Sequence, residues 1–198
     1  MDGNLDSWKD GAWSTDKFFY KDGSPQQKNT LYLGCDDENL YLGLRAHASN
    51  LPQLKAEPTE YDAFKIFGQE NIEILPDPGR SKKNYYQLVT SAAGSRTDFG
   101  PGRNPKWNGN WSVAVQRNEK EKSIDYEVKI PFALLAAPGA ANDWGLNVGR
   151  SDTASKEPAC LFPNHEPNFH KVANYPALKI PQEIVRNYAI GIAAPKVS

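Results

Sequence analysis

The strongest constraint on this chain is its punctuation. Fifteen glycines and fifteen prolines are scattered through 198 residues, leaving few windows in which a helix of three turns could run unbroken. The segments between them alternate at period two. Leu31, Leu33 and Cys35 share one face, the turn-forming run Asp36-Asp37-Glu38-Asn39 follows, and Leu40, Leu42, Leu44 and Ala46 resume the alternation, which predicts a β-hairpin. Trp111, Val113 and Val115 alternate with polar or small residues, and Ile124, Tyr126, Val128 and Ile130 alternate with Asp125, Glu127 and Lys129, as half-buried antiparallel strands do. Further strands are expected over Asn71–Leu75, Tyr85–Ser91 and Gly145–Arg150. Seven or more strands with turns between them predict an all-β antiparallel sandwich with long loops and at most short helices. The one helical segment is Pro131–Ala136, opened by a proline.

Length and charge narrow the function. A chain of this size suits one domain with its own core, and Trp 5, Tyr 9 and Phe 8 supply large apolar side chains. Lys and Arg number 23 against 24 Asp and Glu, a net charge of −1. No basic excess is present to drive counterion release on nucleic acid or adsorption to an anionic membrane, so neither is an expected partner. No apolar run is long enough to span a bilayer, and the first residues have no signal-peptide pattern. Cys35 and Cys160 could form one bridge or remain two buried thiols. The loops Leu51–Gly68 and Thr153–Asn174 are long and rich in aromatic and polar residues, as functional loops often are. Residues 1–180 are expected to form the domain, and 181–198 an exit segment or linker toward another part of a larger protein.

A series of short motifs resembles the family 9 carbohydrate-binding modules from about Asp2 to Ile180. Asp2-Gly3-x-Leu5-Asp6-x-Trp8 is similar to the family's opening motif, and Cys35-Asp36-Asp37-Glu38-Asn39-Leu40-Tyr41 to its acidic hairpin. Asn71-Ile72-Glu73-Ile74, Trp107-Asn108-Gly109-Asn110-Trp111, Glu127-x-x-Ile130-Pro131, Trp144-Gly145-x-Asn147-x-x-Arg150 and Phe169-His170 follow in the family's order. The resemblance implies an immunoglobulin-like sandwich appended to a secreted bacterial enzyme of polysaccharide degradation. It also implies calcium, a non-catalytic chain, a neighbouring catalytic domain, and a secreted or cell-surface location, with the signal peptide outside this sequence.

The resemblance also places a site. Two aromatic rings clamp a sugar in such modules, and their positions hold Phe67 and Phe169. Aromatic faces suit the apolar C–H face of a pyranose. Glu73 corresponds to a carboxylate that accepts from sugar hydroxyls, and a charged acceptor makes the stronger kind of hydrogen bond. The family's arginine falls near Val89, so Gln87, Glu166, Asn168 and His170 are the candidates for the missing polar contacts. Trp107, on a polar turn, is a further candidate platform. Asp2, Asp6, Asp36 and Asp37, with Glu38, are the expected calcium ligands, since calcium takes six to eight oxygens.

Other classes fit less well. No nucleophile elbow, zinc-protease motif or nucleotide-binding loop is present, so catalysis and a nucleotide are not expected. Haem, which DOMON-like relatives hold through Met or His, is not expected either: Met1 is terminal and, of the histidines, His47 alone lies on a predicted strand. The competing reading is a sandwich that binds nothing and serves as a spacer or protein-docking domain beside an enzyme. It is suggested by phenylalanine at both clamp positions and valine at the arginine's.

Overall fold

A computed structural model describes residues 1–135, 142–166 and 168–184. Among these residues are β1 (Trp13–Thr15), β2 (Asn29–Cys35), β3 (Asn39–His47), β4 (Asn71–Asp77), β5 (Gln87–Ser91) and β6 (Arg96–Phe99). They are followed by β7 (Ser112–Asn118), β8 (Ser123–Pro131), α1 (Phe132–Leu135), β9 (Asp143–Ser151), β10 (Ala159–Cys160) and β11 (Ala177–Lys179). One sheet runs β1-β2-β3-β8-β7; the other runs β10-β9-β4-β5-β6, with β11 also on β9. Every pairing is antiparallel. No described helix is long and apolar enough to cross a membrane.

Period two decides which side chains meet. In the first sheet Leu42 pairs with Leu33 and Val128, and Leu44 with Leu31 and Tyr126, placing these residues on one face. Ile72, Ile74, Leu88, Leu146 and Val148 do the same for the second sheet, and both sets join one buried core with Trp111, Trp144 and Phe132. The N-terminal segment covers the outer face of the first sheet. A Cβ on Gly43 would lie 2.8 Å from Leu5 Cδ2, so glycine is what allows Leu5 to seat there.

The sandwich expectation is met, and each predicted strand lies within two residues of an observed one. The predicted helix is α1; Ala136 lies outside the described residues. Cys35 is exposed at the end of β2, Cys160 is buried in β10, and both are free thiols. Ile180 and Ile184 are both buried in the core, so packing continues just past residue 180; 185–198 lie outside the described residues.

Candidate functional site

The site is built on the outer face of the second sheet. Glu73 pairs across the ladder with Val89 on one side and Gly149 on the other, and Val89 pairs with Thr97. Gln87 pairs with Phe99 and shares the face with Val89, two residues along. The alternation that sends Ile72, Ile74 and Leu88 inward therefore sends Glu73 and Gln87 outward together. Gln87 Nε2 donates to Glu73 Oε2 at 2.7 Å.

Two aromatic segments flank these polar groups. Phe67, half-buried in the 3-10 turn Phe64–Gly68, lies 6.2 Å from Phe99 on β6 and 5.2 Å from Phe64, between ring centroids. Phe169 lies over β9, where a Cβ on Gly149 would come to 2.4 Å from its ring. The backbones of β6 and β9 are three strand spacings apart, about 14 Å, with Glu73 and Gln87 on the two strands between. Phe67, Glu73, Gln87, Phe169 and His170 are thus gathered on one face from distant parts of the chain.

The two phenylalanines play different parts. Phe169 is only 6% exposed and packs with Leu75, Tyr85, Cys160, Phe162 and Tyr175. Its carbonyl accepts from Asn147 Nδ2 at 3.1 Å and from the Tyr175 hydroxyl at 2.9 Å. Asn147 Oδ1 also accepts from the Leu161 N–H, so one buried asparagine of β9 fastens both ends of the 161–169 segment to the sheet. Phe169 is a wall fixed by packing, without the free face expected of a clamp. Phe67 keeps partial access to solvent.

The electrostatics of the face are unbalanced. Burial pushes the Glu73 carboxyl up to about 7; the Gln87 hydrogen bond and then the Arg103 charge act against that rise. Gln87 is 1% exposed and its Oε1 has no hydrogen-bond partner, one of eight buried side-chain atoms so placed among the described residues. His170 Nδ1 lies 2.9 Å from the Tyr85 hydroxyl, and burial, then Arg103, lowers the imidazole pKa. The charge of Arg103 therefore reaches Glu73, Tyr85 and His170, yet Arg103 is exposed and has no ion-pair partner among the described residues.

Arg103 and Tyr85 were absent from the candidates drawn from sequence. Arg103 sits in the loop after β6 at φ +58°, where no strand period specifies its direction. Val89, where the family's arginine aligns, is fully buried, and the guanidinium whose charge acts on this face comes from the loop after β6.

Several expected site residues lie elsewhere in role. Trp107 is no exposed platform: it packs half-buried against the core, 5.0 Å from the Tyr86 ring, and fills the space beside Gly100 and Gly109. Glu166 points to solvent and pairs with Lys171 at 3.6 Å. Asn168 is turned to its own loop, accepting from the His170 N–H.

The expected calcium carboxylates do not converge on a cage. Asp6 accepts from Arg45 at 2.9 Å and pairs with Lys9 at 3.3 Å, and Asp2 accepts from the Asn4 N–H. Asp36 accepts from the Glu38 and Asn39 N–H groups and the Tyr41 hydroxyl. Asp36 precedes the first residue of β3, whereas Asp6 meets Arg45 near its last, about 20 Å along the strand. Among the described residues no group of three or more His, Cys, Asp or Glu is gathered around one point, and Asp6 and Asp36 are engaged by protein donors.

A separate cleft of about 460 Å³ opens between β2 and β11, lined by Trp13, Leu33, Leu146, Leu178 and Ile180 among others. Its walls are mostly apolar and suit a polyol poorly.

No protein-family model and no curated protein matches the chain. Solved structures do. A family 9 carbohydrate-binding module from Caldicellulosiruptor kristjanssonii, in complex with cellotriose, superposes with a TM-score of 0.60 at 14% identity, over 90% of this chain and 87% of that one. The same TM-score and identity hold for the module in complex with glucose, over 89% of its length. A protein from Bacteroides uniformis described as a candidate carbohydrate-binding protein superposes with a TM-score of 0.69 at 11% identity, over 88% of each chain. The chain has the β-sandwich fold of the family 9 carbohydrate-binding modules.

Proposed function

We propose that this chain is a non-catalytic sugar-binding module whose ligand lies over Glu73 and Gln87 on the outer face of the second sheet. The observation that carries this reading is the unpartnered, buried Gln87 Oε1 beside the Glu73 carboxylate. If ligand binding turns these largely buried side chains outward, two adjacent acceptors meet two adjacent donors, which neighbouring hydroxyls of a sugar ring supply. Arg103 donates from the rim to ring or hydroxyl oxygens, and Phe67 offers its face to the sugar's C–H groups. Phe169 acts from behind, holding the wall that carries His170 and Tyr85. This departs from a symmetric two-ring clamp, because one ring is engaged in packing.

The fold neighbours in complex with glucose and with cellotriose support a glucose-type ligand. A neighbouring enzyme of polysaccharide degradation and a secreted bacterial setting belong to the same proposal, and the surrounding reading frame tests them.

Calorimetric titration with glucose and with cellotriose at pH 8 tests the site. Binding of at least one is expected, with Phe67→Ala and Glu73→Gln each weakening it roughly tenfold or more. Absence of binding to both sugars, or binding that survives both substitutions, contradicts the reading and favours the spacer alternative.

A further inference from the structure

Among the described residues, two of the three exposed aromatic side chains lie beside the site. Met1, Trp13, Tyr61 and Phe64 are the large hydrophobic residues exposed among the described residues. Two of these four, Tyr61 at 41% and Phe64 at 79% exposure, lie on the loop that carries Phe67. Phe64 is the most exposed of all, and its ring stands 5.2 Å from Phe67 at an interplanar angle of 54°.

The loop is firmly held. Ile66 is fully buried, and Asn71 Nδ2 donates to both the Ile66 and Gln69 carbonyls, at 3.2 and 2.8 Å. The Asp62 N–H donates to the Arg96 carbonyl at 3.1 Å, and the Thr59 N–H to Ser95 Oγ at 2.7 Å. The Tyr61 hydroxyl donates to Asp98, and the Arg96 guanidinium lies 5.3 Å from the Tyr61 ring centroid. A phenylalanine left in water on a segment tied down at so many points contributes little to folding, since burial is what stabilises an apolar side chain.

We propose that Phe64 is a second stacking platform, taking the next sugar unit of an oligosaccharide whose first unit lies over Glu73 and Gln87. The inference rests on the sugar-binding reading above and extends it from one ring to a chain. Phe67 is common to both positions, touching Phe99 on the sheet side and Phe64 on the solvent side, so the aromatic surface is continuous from the polar floor outward. The occupant is a neutral oligosaccharide with exposed C–H faces. A ring without a hydrogen-bonding group selects for such a face and is indifferent to hydroxyl orientation.

Titration of the wild type, Phe64→Ala and Phe64→Trp with glucose, cellobiose and cellotriose tests this. The expected result is tighter binding of the longer sugars than of glucose by the wild type. Phe64→Ala weakens cellobiose and cellotriose roughly fivefold and leaves glucose unchanged, while Phe64→Trp strengthens the longer sugars. Equal affinity for all three sugars with no effect of Phe64→Ala overturns the second platform and leaves the first site standing. An equal loss for glucose and cellotriose also overturns it, because Phe64 would then be acting through Phe67. Failure of the wild type to bind any of the three overturns the sugar-binding reading and this inference together.

Discussion

Each sheet buries charged groups on its outer face, and two of them, Arg45 on the first and Glu73 on the second, are treated in opposite ways. Asp77, also on the second sheet's outer face, is completed by Ser81 and Lys82 donors. On the first sheet Arg45 is 3% exposed and donates to Asp125 through Nε at 3.0 Å and Nη2 at 2.6 Å, and to Asp6 at 2.9 Å. Hydrogen bonds to Asp125 raise the Arg45 pKa, and Arg45, then Lys9, lowers that of Asp6. Glu127 accepts from the Asp2 and Gly3 N–H groups. Each of these charges meets a protein partner, and the N-terminal segment closes over them.

On the second sheet Glu73 is as deeply buried but has a neutral amide for a partner, and burial raises its pKa. Gln87 keeps an idle acceptor, and Arg103 stands nearby with no ion-pair partner among the described residues. A buried polar cluster completed by protein groups holds a fold together; one left incomplete costs stability and is retained where something else completes it.

The largest expected effect breaks the closed face. Arg45→Ala should destabilise the fold by about 3–5 kcal/mol, because it strands the buried Asp125 carboxylate, as read by urea denaturation. The loss should not alter sugar affinity under conditions where the variant is folded. A loss below about 1 kcal/mol would show that the closed cluster is as incomplete as the open one.

The next sharpens the contrast through pH. Glu73 titrates near 7 in the folded chain against an ordinary 4.5, so the folded state holds the proton more tightly. The stability this contributes is present in full below about pH 4.5 and is lost as pH rises through 7, by about 3 kcal/mol. Glu73→Gln should remove that part of the slope and leave the chain more stable than the wild type at pH 8. Identical pH profiles for the two proteins would mean that Glu73 is solvated or paired.

Arg103→Ala should leave the melting temperature unchanged and weaken sugar binding roughly tenfold, the reverse of Arg45→Ala. Two arginines with opposite signatures are the simplest statement of the difference between the faces. The smallest expected effect is none. A chelator should not shift the melting temperature, since Asp6 and Asp36 are engaged by protein donors; a drop restored by added calcium would require a cage built by other groups.

The fold was legible because its information is local. Leu31 to Ala46 states a hairpin by alternation, and the same period places Glu73 and Gln87 outward once Ile72 and Ile74 go inward. β10 and β11, at two and three residues, are too short for a period to show and form only because β9 offers an edge. The candidate site was legible only in part. Phe67, Glu73 and Phe169 were found through resemblance to aligned motifs. The burial of Phe169 depends on the missing side chain of Gly149, across the fold. Arg103 reaches the site from an irregular loop, and Asp6 finds Arg45 in a distant strand, pairings that no window of sequence contains.

The central claim is that the outer face of the second sheet is the binding face. Backbone and side-chain NMR shifts followed during titration with cellotriose test it most directly. Perturbations centred on Glu73, Gln87, Arg103 and His170, with the side chains of Arg45 and Asp125 unmoved, are the predicted result. Perturbations centred on the first sheet or on the Trp13 cleft, or none at saturating sugar, would contradict it.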